Sequence, residues 1–256
     1  MQDNNQIENV KDDTLVFRGW PSLTLCKFYK VPVRIDITFA LVPVWLLVSF
    51  SSPSTFAEWL KLGVLTVGIF LSVLLHEFGH TVAAKSHRVT VKEIVVGGFF
   101  GYASLRSKTI KRRLLMHILA AGPVVNLILS LGMWAALSMP SISELMSRSS
   151  ALFHVHSETW LIESLSALTL INFMMFLFNI LPVYPLDGGR IVGLFLDGKT
   201  GLRTSLKIVS GLSVLVGVAM VVFGGYFSVV IIGFGVYSIM INLQRYRKVR
   251  LQRFSA

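Results

Sequence analysis

Charged residues are scarce in this sequence of 256 residues. They make up 14% of the chain, while 54% is hydrophobic. Soluble globular domains contain about 25% charged and about 45–50% apolar residues. The composition therefore excludes an ordinary soluble globule and indicates a protein that folds in a lipid bilayer.

Cysteine is nearly absent, since Cys26 stands alone. One cysteine excludes an internal disulfide and a cysteine-rich zinc knuckle. We also expect no signal peptide, because the sequence starts with the polar, acidic segment MQDNNQIENVKDDT. We expect the first apolar segment to act as the membrane-insertion signal.

The net charge is +11, yet no basic stretch is coupled to a base-reading motif, so no nucleic-acid partner is predicted. Lysine and arginine instead gather in the connections that would share one side of a membrane. With the N-terminus inside, only Lys61 and Arg148 would lie outside. The positive-inside rule then predicts that both termini are cytoplasmic. The compact layout favours the cell membrane of a prokaryote.

Six apolar runs cross, or nearly cross, a hydrocarbon core of about 30 Å. The predicted fold class is an all-α polytopic membrane protein of about six transmembrane helices. We expect a cytoplasmic or interfacial segment over residues 1–34, a six-helix membrane domain over 35–243 with its core at about 59–190, and a basic cytoplasmic tail over 244–256. The six runs cover residues 35–52, 59–83, 114–139, 158–182, 205–223 and 226–243.

The connection between the second and third runs contains VKEIVVGGFFGYASLRS. Its β-branched and aromatic residues surround Gly97, Gly98 and Gly101. This pattern is typical of a β-hairpin, and the flanking apolar runs place it close to the bilayer.

The second run contains LHEFGHT, in which His76 and His80 are four residues apart. On a helix this spacing puts both imidazoles on one face, where two nitrogens can bind one zinc ion. Glu77 lies beside them and can act as a general base. An acidic group at the centre of an apolar span costs about 2.5–3.5 kcal/mol on insertion scales, which favours a functional role.

A catalytic zinc ion needs a third protein ligand. Asp187 in PLDGGR is the best candidate, because it follows a predicted helix break on the same side of the membrane. An ordinary turn aspartate is the alternative.

Together these motifs resemble the site-2 protease family of intramembrane zinc metalloproteases, in its six-span form without a PDZ or CBS domain. The likeness covers roughly residues 35–190. It implies a three-helix catalytic core that cleaves peptide bonds within or next to transmembrane segments of membrane proteins, with His76, His80 and Asp187 as zinc ligands and Glu77 as the base. The matching elements are HEFGH, the NxxPxxPLDGG pattern from Asn179 to Gly189, and AAGPVVN from Ala120 to Asn126.

Other residues are candidates for supporting roles. Asn126 and Asn179 could hold the oxyanion or orient Asp187, although hydrogen bonding between helices is an alternative for both. Gly97, Gly98 and Phe99 belong to a segment that could receive an unwound substrate as an added strand, or form an ordinary surface hairpin. The expected partners are a single-span or other membrane-protein substrate and the lipid bilayer, whereas the sequence identifies no inhibitory membrane partner.

Three other functions remain open at this point. A membrane metal-ion transporter could also place histidine and aspartate within its spans. A different HExxH membrane protease could take its third ligand from a glutamate on a later helix. A catalytically dead scaffold is the last alternative, against which the intact HEFGH motif argues.

Overall fold

The computed structural model describes residues 6–8, 21–49, 53–98, 101–106, 109–140, 144, 160–224, 233 and 235–244, and most of them are helical. Residues 235–244 are helical too. The helices are α1 (Leu41–Ser49), α2 (Phe56–Ser86), α3 (Arg112–Leu137), α4 (Trp160–Ile180), α5 (Asp187–Thr200) and α6 (Leu202–Gly224).

Four of these helices, α2, α3, α4 and α6, are long and apolar enough to cross a membrane. They correspond to the second to fifth predicted spans and identify a multi-pass integral membrane protein. The first predicted span is a shorter apolar helical stretch, Ile37–Ser49. Asp36, which was expected inside this span, caps the stretch instead, because its carboxylate accepts a hydrogen bond from the backbone N–H of Thr38 at 2.8 Å. The sixth predicted span lies partly outside the described residues.

The predicted β-hairpin is present, but it belongs to a larger sheet. The four strands have the order β2 (Ser22–Phe28), β3 (Val31–Asp36), β4 (Thr90–Val96) and β5 (Gly101–Arg106). Strands β3 and β4 are parallel, and the other two pairs are antiparallel. The protein is therefore mostly helical with a small sheet, and the all-α prediction with a lone hairpin was incomplete. Two further strands, β1 (Gln6–Glu8) and β6 (Thr109–Lys111), form an antiparallel pair.

Helix α2 begins at a capping box. Thr55 Oγ1 accepts from the backbone N–H of Glu58 at 3.3 Å, and the Glu58 carboxylate accepts from the Thr55 N–H at 3.0 Å. These bonds satisfy two N–H groups that a helix start leaves without intrahelical partners. His76 follows Phe56 by 20 positions, which at 1.5 Å per residue is about 30 Å along the helix. The HEFGH residues therefore lie in the last third of α2.

The described residues divide into two compact units. The core unit contains β2 to β5, α1, α2, α3 from Ala121 onward and α4 as far as Phe176. Its apolar core includes Leu46, Leu65 and Leu168. The C-terminal unit contains β1, β6, the start of α3, the end of α4, α5, α6 and residues 235–244.

Side chains in the C-terminal unit anchor the turn that precedes Asp187. The backbone N–H of Tyr184 donates to Ser213 Oγ at 2.8 Å, and the Tyr184 carbonyl accepts from Asn242 Nδ2 at 2.8 Å and from Ser238 Oγ at 3.2 Å. All three of these side chains are buried. Buried backbone groups need such partners, so α6 and residues 235–244 fix the backbone at Tyr184.

Candidate metal centre

His76, Glu77 and His80 form a buried cluster on α2. Their exposed fractions are 5%, 3% and 7%. The Nε2 atoms of the two histidines are 3.1 Å apart, and one candidate ligand atom from each of the three residues lies within 4.8 Å of the others. The four-residue spacing therefore produces the convergence that the sequence predicted.

The two imidazoles fit a single zinc ion. Two Zn–N bonds of about 2.0–2.1 Å at a tetrahedral angle span about 3.3 Å, close to the observed separation of the Nε2 atoms. Gly122 on α3 faces the same two rings, and a Cβ atom there would lie 2.8 Å from His76 Nε2 and closer still to the His80 ring. A side chain at position 122 would therefore crowd the two ring nitrogens that are the candidate zinc ligands.

Asn126 fixes the orientation of His76. Its Oδ1 lies 2.5 Å from His76 Nδ1, and its Nδ2 donates to Asn172 Oδ1 at 3.0 Å. In metal-binding histidines, the ring nitrogen that does not bind the metal commonly forms such a hydrogen bond. Because both ends of the Asn126 amide are engaged, the geometry favours a positioning role for Asn126 over contact with the substrate.

The sheet approaches the cluster at Glu77. A Cβ atom on Gly101, the first residue of β5, would lie 2.6 Å from Glu77 Oε1, so the backbone of this strand runs directly against the carboxylate.

Gly97 is buried. Gly98 packs on the backbone of Thr38 and donates its N–H to Thr38 Oγ1 at 3.2 Å. Phe99 lies outside the described residues.

Asp187 and Asn179 belong to the C-terminal unit. Asp187 is the first residue of α5 and is 7% exposed, and Asn179 is half-buried in the last turn of α4. A Cβ atom on Gly188 would meet the carbonyl of Leu181 at 2.5 Å. Glycine after Asp187 therefore lets α5 start in direct contact with the preceding turn. The assignment of Asp187 as a zinc ligand stays a prediction, as does the oxyanion role of Asn179.

The comparison with family models gives a match to peptidase family M50 over residues 64–224, more than half of the chain. The chain belongs to peptidase family M50. The matched region contains HEFGH, Gly122, Asn126 and the PLDGG motif.

Two proteins that carry the name zinc metalloprotease are similar to this chain. The zinc metalloprotease MJ0392 of Methanocaldococcus jannaschii is 29% identical over 203 residues, which are 79% of this chain and 54% of that protein. The putative zinc metalloprotease Rip3 of Mycobacterium tuberculosis is 29% identical over 168 residues, which are 62% of this chain and 39% of that protein. The chain thus spans about half, or less, of the length of these relatives.

A solved structure extends the likeness to the fold. The site-2 protease from Methanocaldococcus jannaschii matches with a TM-score of 0.57 and 26% identity, and the match covers 90% of this chain and 94% of that one. The small sheet and the long apolar helices of this M50 family member are therefore those of a site-2 protease fold.

Proposed function

We propose that this chain is an intramembrane zinc metalloendopeptidase that hydrolyses peptide bonds within or next to the transmembrane segments of other membrane proteins. The observation that carries the proposal is the pair of buried Nε2 atoms, 3.1 Å apart, with Glu77 beside them on an apolar helix of an M50 family member. Three ionisable groups inside such a helix indicate a functional site.

Each residue of the site has a defined task in this proposal. His76, His80 and Asp187 hold the zinc ion, which when bound supplies a Lewis acid that acidifies water and polarises a carbonyl. Glu77 takes a proton from the attacking water and returns it to the leaving amine. Asn179 donates to the developing oxyanion. The burial of Asp187 within the PLDGG motif of the matched region supports its role as third ligand.

The proposed topology has six spans with both termini in the cytoplasm of a prokaryotic cell. Its six-helix membrane domain covers residues 35–243, with the catalytic core at about 59–190 between the N-terminal segment 1–34 and the basic tail 244–256. Four long apolar helices and the one-sided distribution of lysine and arginine support this arrangement.

Removal of the metal is expected to stop cleavage. The purified chain in detergent is incubated with candidate single-span membrane proteins, before and after treatment with a chelator, and products are identified by mass spectrometry. We expect cleavage by the untreated protein, none after chelation, and recovery when Zn²⁺ is added back. Zinc uptake by reconstituted vesicles, together with no cleavage of any candidate, would instead support a metal-ion transporter.

Strand β5 offers a place for the substrate. A transmembrane helix must unwind before cleavage, and its freed backbone groups then need new partners in the low-dielectric membrane. Among the described residues β5 is the last strand of the sheet, and a substrate strand added beside it would provide new backbone partners. Because Gly101 touches Glu77, a strand added there would run close to the base. Gly97, Gly98 and Phe99, which precede β5 in the sequence, are proposed to contact the same substrate segment.

If the substrate binds as an added strand, residue 102 is expected to cross-link to every second position of the substrate. Tyr102→Cys is made in a Cys26→Ser, Glu77→Gln protein, and single cysteines are scanned through the cleaved region of a substrate. A strand turns every second side chain toward the same face, so alternate substrate positions should form disulfides with residue 102. Lys92→Cys, at an exposed position on the interior strand β4, is the control. A period of three to four residues at position 102 would mean that the substrate binds as a helix.

A further inference from the structure

A chain of buried hydrogen bonds starts at His76 and crosses three helices of the core unit. His76 Nδ1 meets Asn126 Oδ1 at 2.5 Å, and Asn126 Nδ2 donates to Asn172 Oδ1 at 3.0 Å. Asn172 Nδ2 donates in turn to Ser72 Oγ at 2.8 Å. Asn126 and Asn172 have no exposed surface, and Ser72 is 5% exposed. The chain thus returns to α2 one turn before His76.

Two backbone carbonyls fix the direction of every bond in this chain. The Ser72 hydroxyl donates to the carbonyl of Gly68 at 2.8 Å, and Asn172 Nδ2 also donates to the carbonyl of Leu168 at 2.9 Å. A carbonyl can only accept, so Asn172 must turn its nitrogen toward Leu168 and its oxygen toward Asn126.

The orientation of Asn172 determines the state of His76. Asn126 must present its nitrogen to the oxygen of Asn172, which leaves its own oxygen facing His76 Nδ1. An oxygen acceptor at that distance requires a proton on Nδ1. The lone pair of the neutral ring is then on Nε2, the atom that lies 3.1 Å from His80 Nε2.

We infer that Asn126, Asn172 and Ser72 are positioning residues that hold His76 in the tautomer with its proton on Nδ1 and its lone pair on Nε2. The inference rests on the proposed zinc site. It gives the two asparagines a role at the metal ligand rather than at the substrate. Outer partners of metal-binding histidines contribute about 10–100-fold to metal affinity or activity, which sets the size of the expected effect.

Zinc affinity is the first readout. The full chain in detergent is stripped of metal and titrated with Zn²⁺ against a competing chelator. Asn126→Leu should bind zinc about 10–100-fold more weakly, whereas Asn126→Asp, which keeps an oxygen facing Nδ1, should retain most of the affinity. Asn172→Leu should also weaken binding, because Asn126 can then turn its nitrogen toward His76.

Ser130→Ala is a matched control for helix packing. Ser130 is one turn after Asn126 on α3, is 5% exposed, and donates to the Thr169 carbonyl on α4 at 3.0 Å. Its removal deletes a partly buried hydrogen bond between the same two helices without touching His76. We expect Ser130→Ala to bind zinc as the unchanged protein does.

The tautomer itself is the second readout. In the metal-free protein with ¹⁵N-labelled histidine, the NMR shifts of the His76 ring should show the proton on Nδ1, and Asn126→Leu and Asn172→Leu should each lose this signature. Unchanged ring shifts and unchanged zinc affinity in either leucine variant, with a melting temperature equal to that of Ser130→Ala, would overturn the inference. If Asn126→Leu does not fold, Asn172→Leu decides alone. If the unchanged protein binds no zinc, the proposed function fails, while the NMR shifts still decide the inference.

Discussion

Glu77→Gln is expected to abolish cleavage while the bound zinc is retained. Glutamine has nearly the same shape as glutamate but cannot take a proton from water, and positioned bases contribute about 10²–10⁴-fold to rate. The His76 and His80 ring nitrogens are unchanged by this substitution, so the zinc content should stay at one ion per chain. The measurement is a single-turnover cleavage rate together with elemental analysis of the same sample.

Glu163→Gln makes the same chemical change at a place with no proposed catalytic task. Glu163 on α4 forms an ion pair with Lys61 at 2.5 Å, and its side chain is 49% exposed. Exposed pairs stabilise a protein by about 0–1 kcal/mol, so this variant should cleave at the unchanged rate. Normal cleavage by Glu77→Gln would show that another group acts as the base.

The long helices could be predicted because each is a run of apolar residues with few interruptions. The four runs that became α2, α3, α4 and α6 needed only length and composition. The first apolar helix is shorter than the predicted span, because Asp36 ends strand β3 and caps the helical turn that follows. The position of Asp36 at the boundary depends on the pairing of β3 with β2 and β4. Amino-acid composition alone does not predict this pairing.

The sheet shows where local patterns stop being informative. The glycines around residues 97–101 predicted the β4–β5 hairpin correctly. Strands β2 and β3 were missed because their two-residue turn, Tyr29 and Lys30, adopts positive φ angles of 47° and 67° without the Asn-Gly or Asp-Gly signal usual at such turns. The parallel pairing of Val33 with Ile94 joins segments far apart in sequence, and no local period reports it.

The same distinction applies to the site. The spacing within HEFGH was enough to predict the convergence of His76 and His80, since helix geometry fixes residues four apart. The contact of Asn126 with His76 spans 50 residues of sequence and depends on how α3 packs on α2. Within the AAGPVVN motif, Gly122 lies against both imidazoles and Asn126 contacts His76. Their separate tasks could be read only from the packed helices.

Replacement of the proposed third ligand by a thiol tests the remaining assignment. In Asp187→Cys, made together with Cys26→Ser, residue 187 carries the only thiol of the chain, because Cys26 is the single natural cysteine and is exposed. Thiolate is a strong zinc ligand, so this protein should keep zinc. Its cleavage rate should fall by about 10²-fold, because a small displacement of the reacting groups has effects of that size.

X-ray absorption at the zinc edge measures the ligand directly. If His76, His80 and Asp187 hold one ion, the unchanged protein should show only nitrogen and oxygen neighbours at about 2.0–2.2 Å, and the Asp187→Cys, Cys26→Ser protein should gain one sulfur at about 2.3 Å. A zinc-loaded Asp187→Cys, Cys26→Ser protein whose spectrum contains no sulfur would contradict the proposed three-ligand centre.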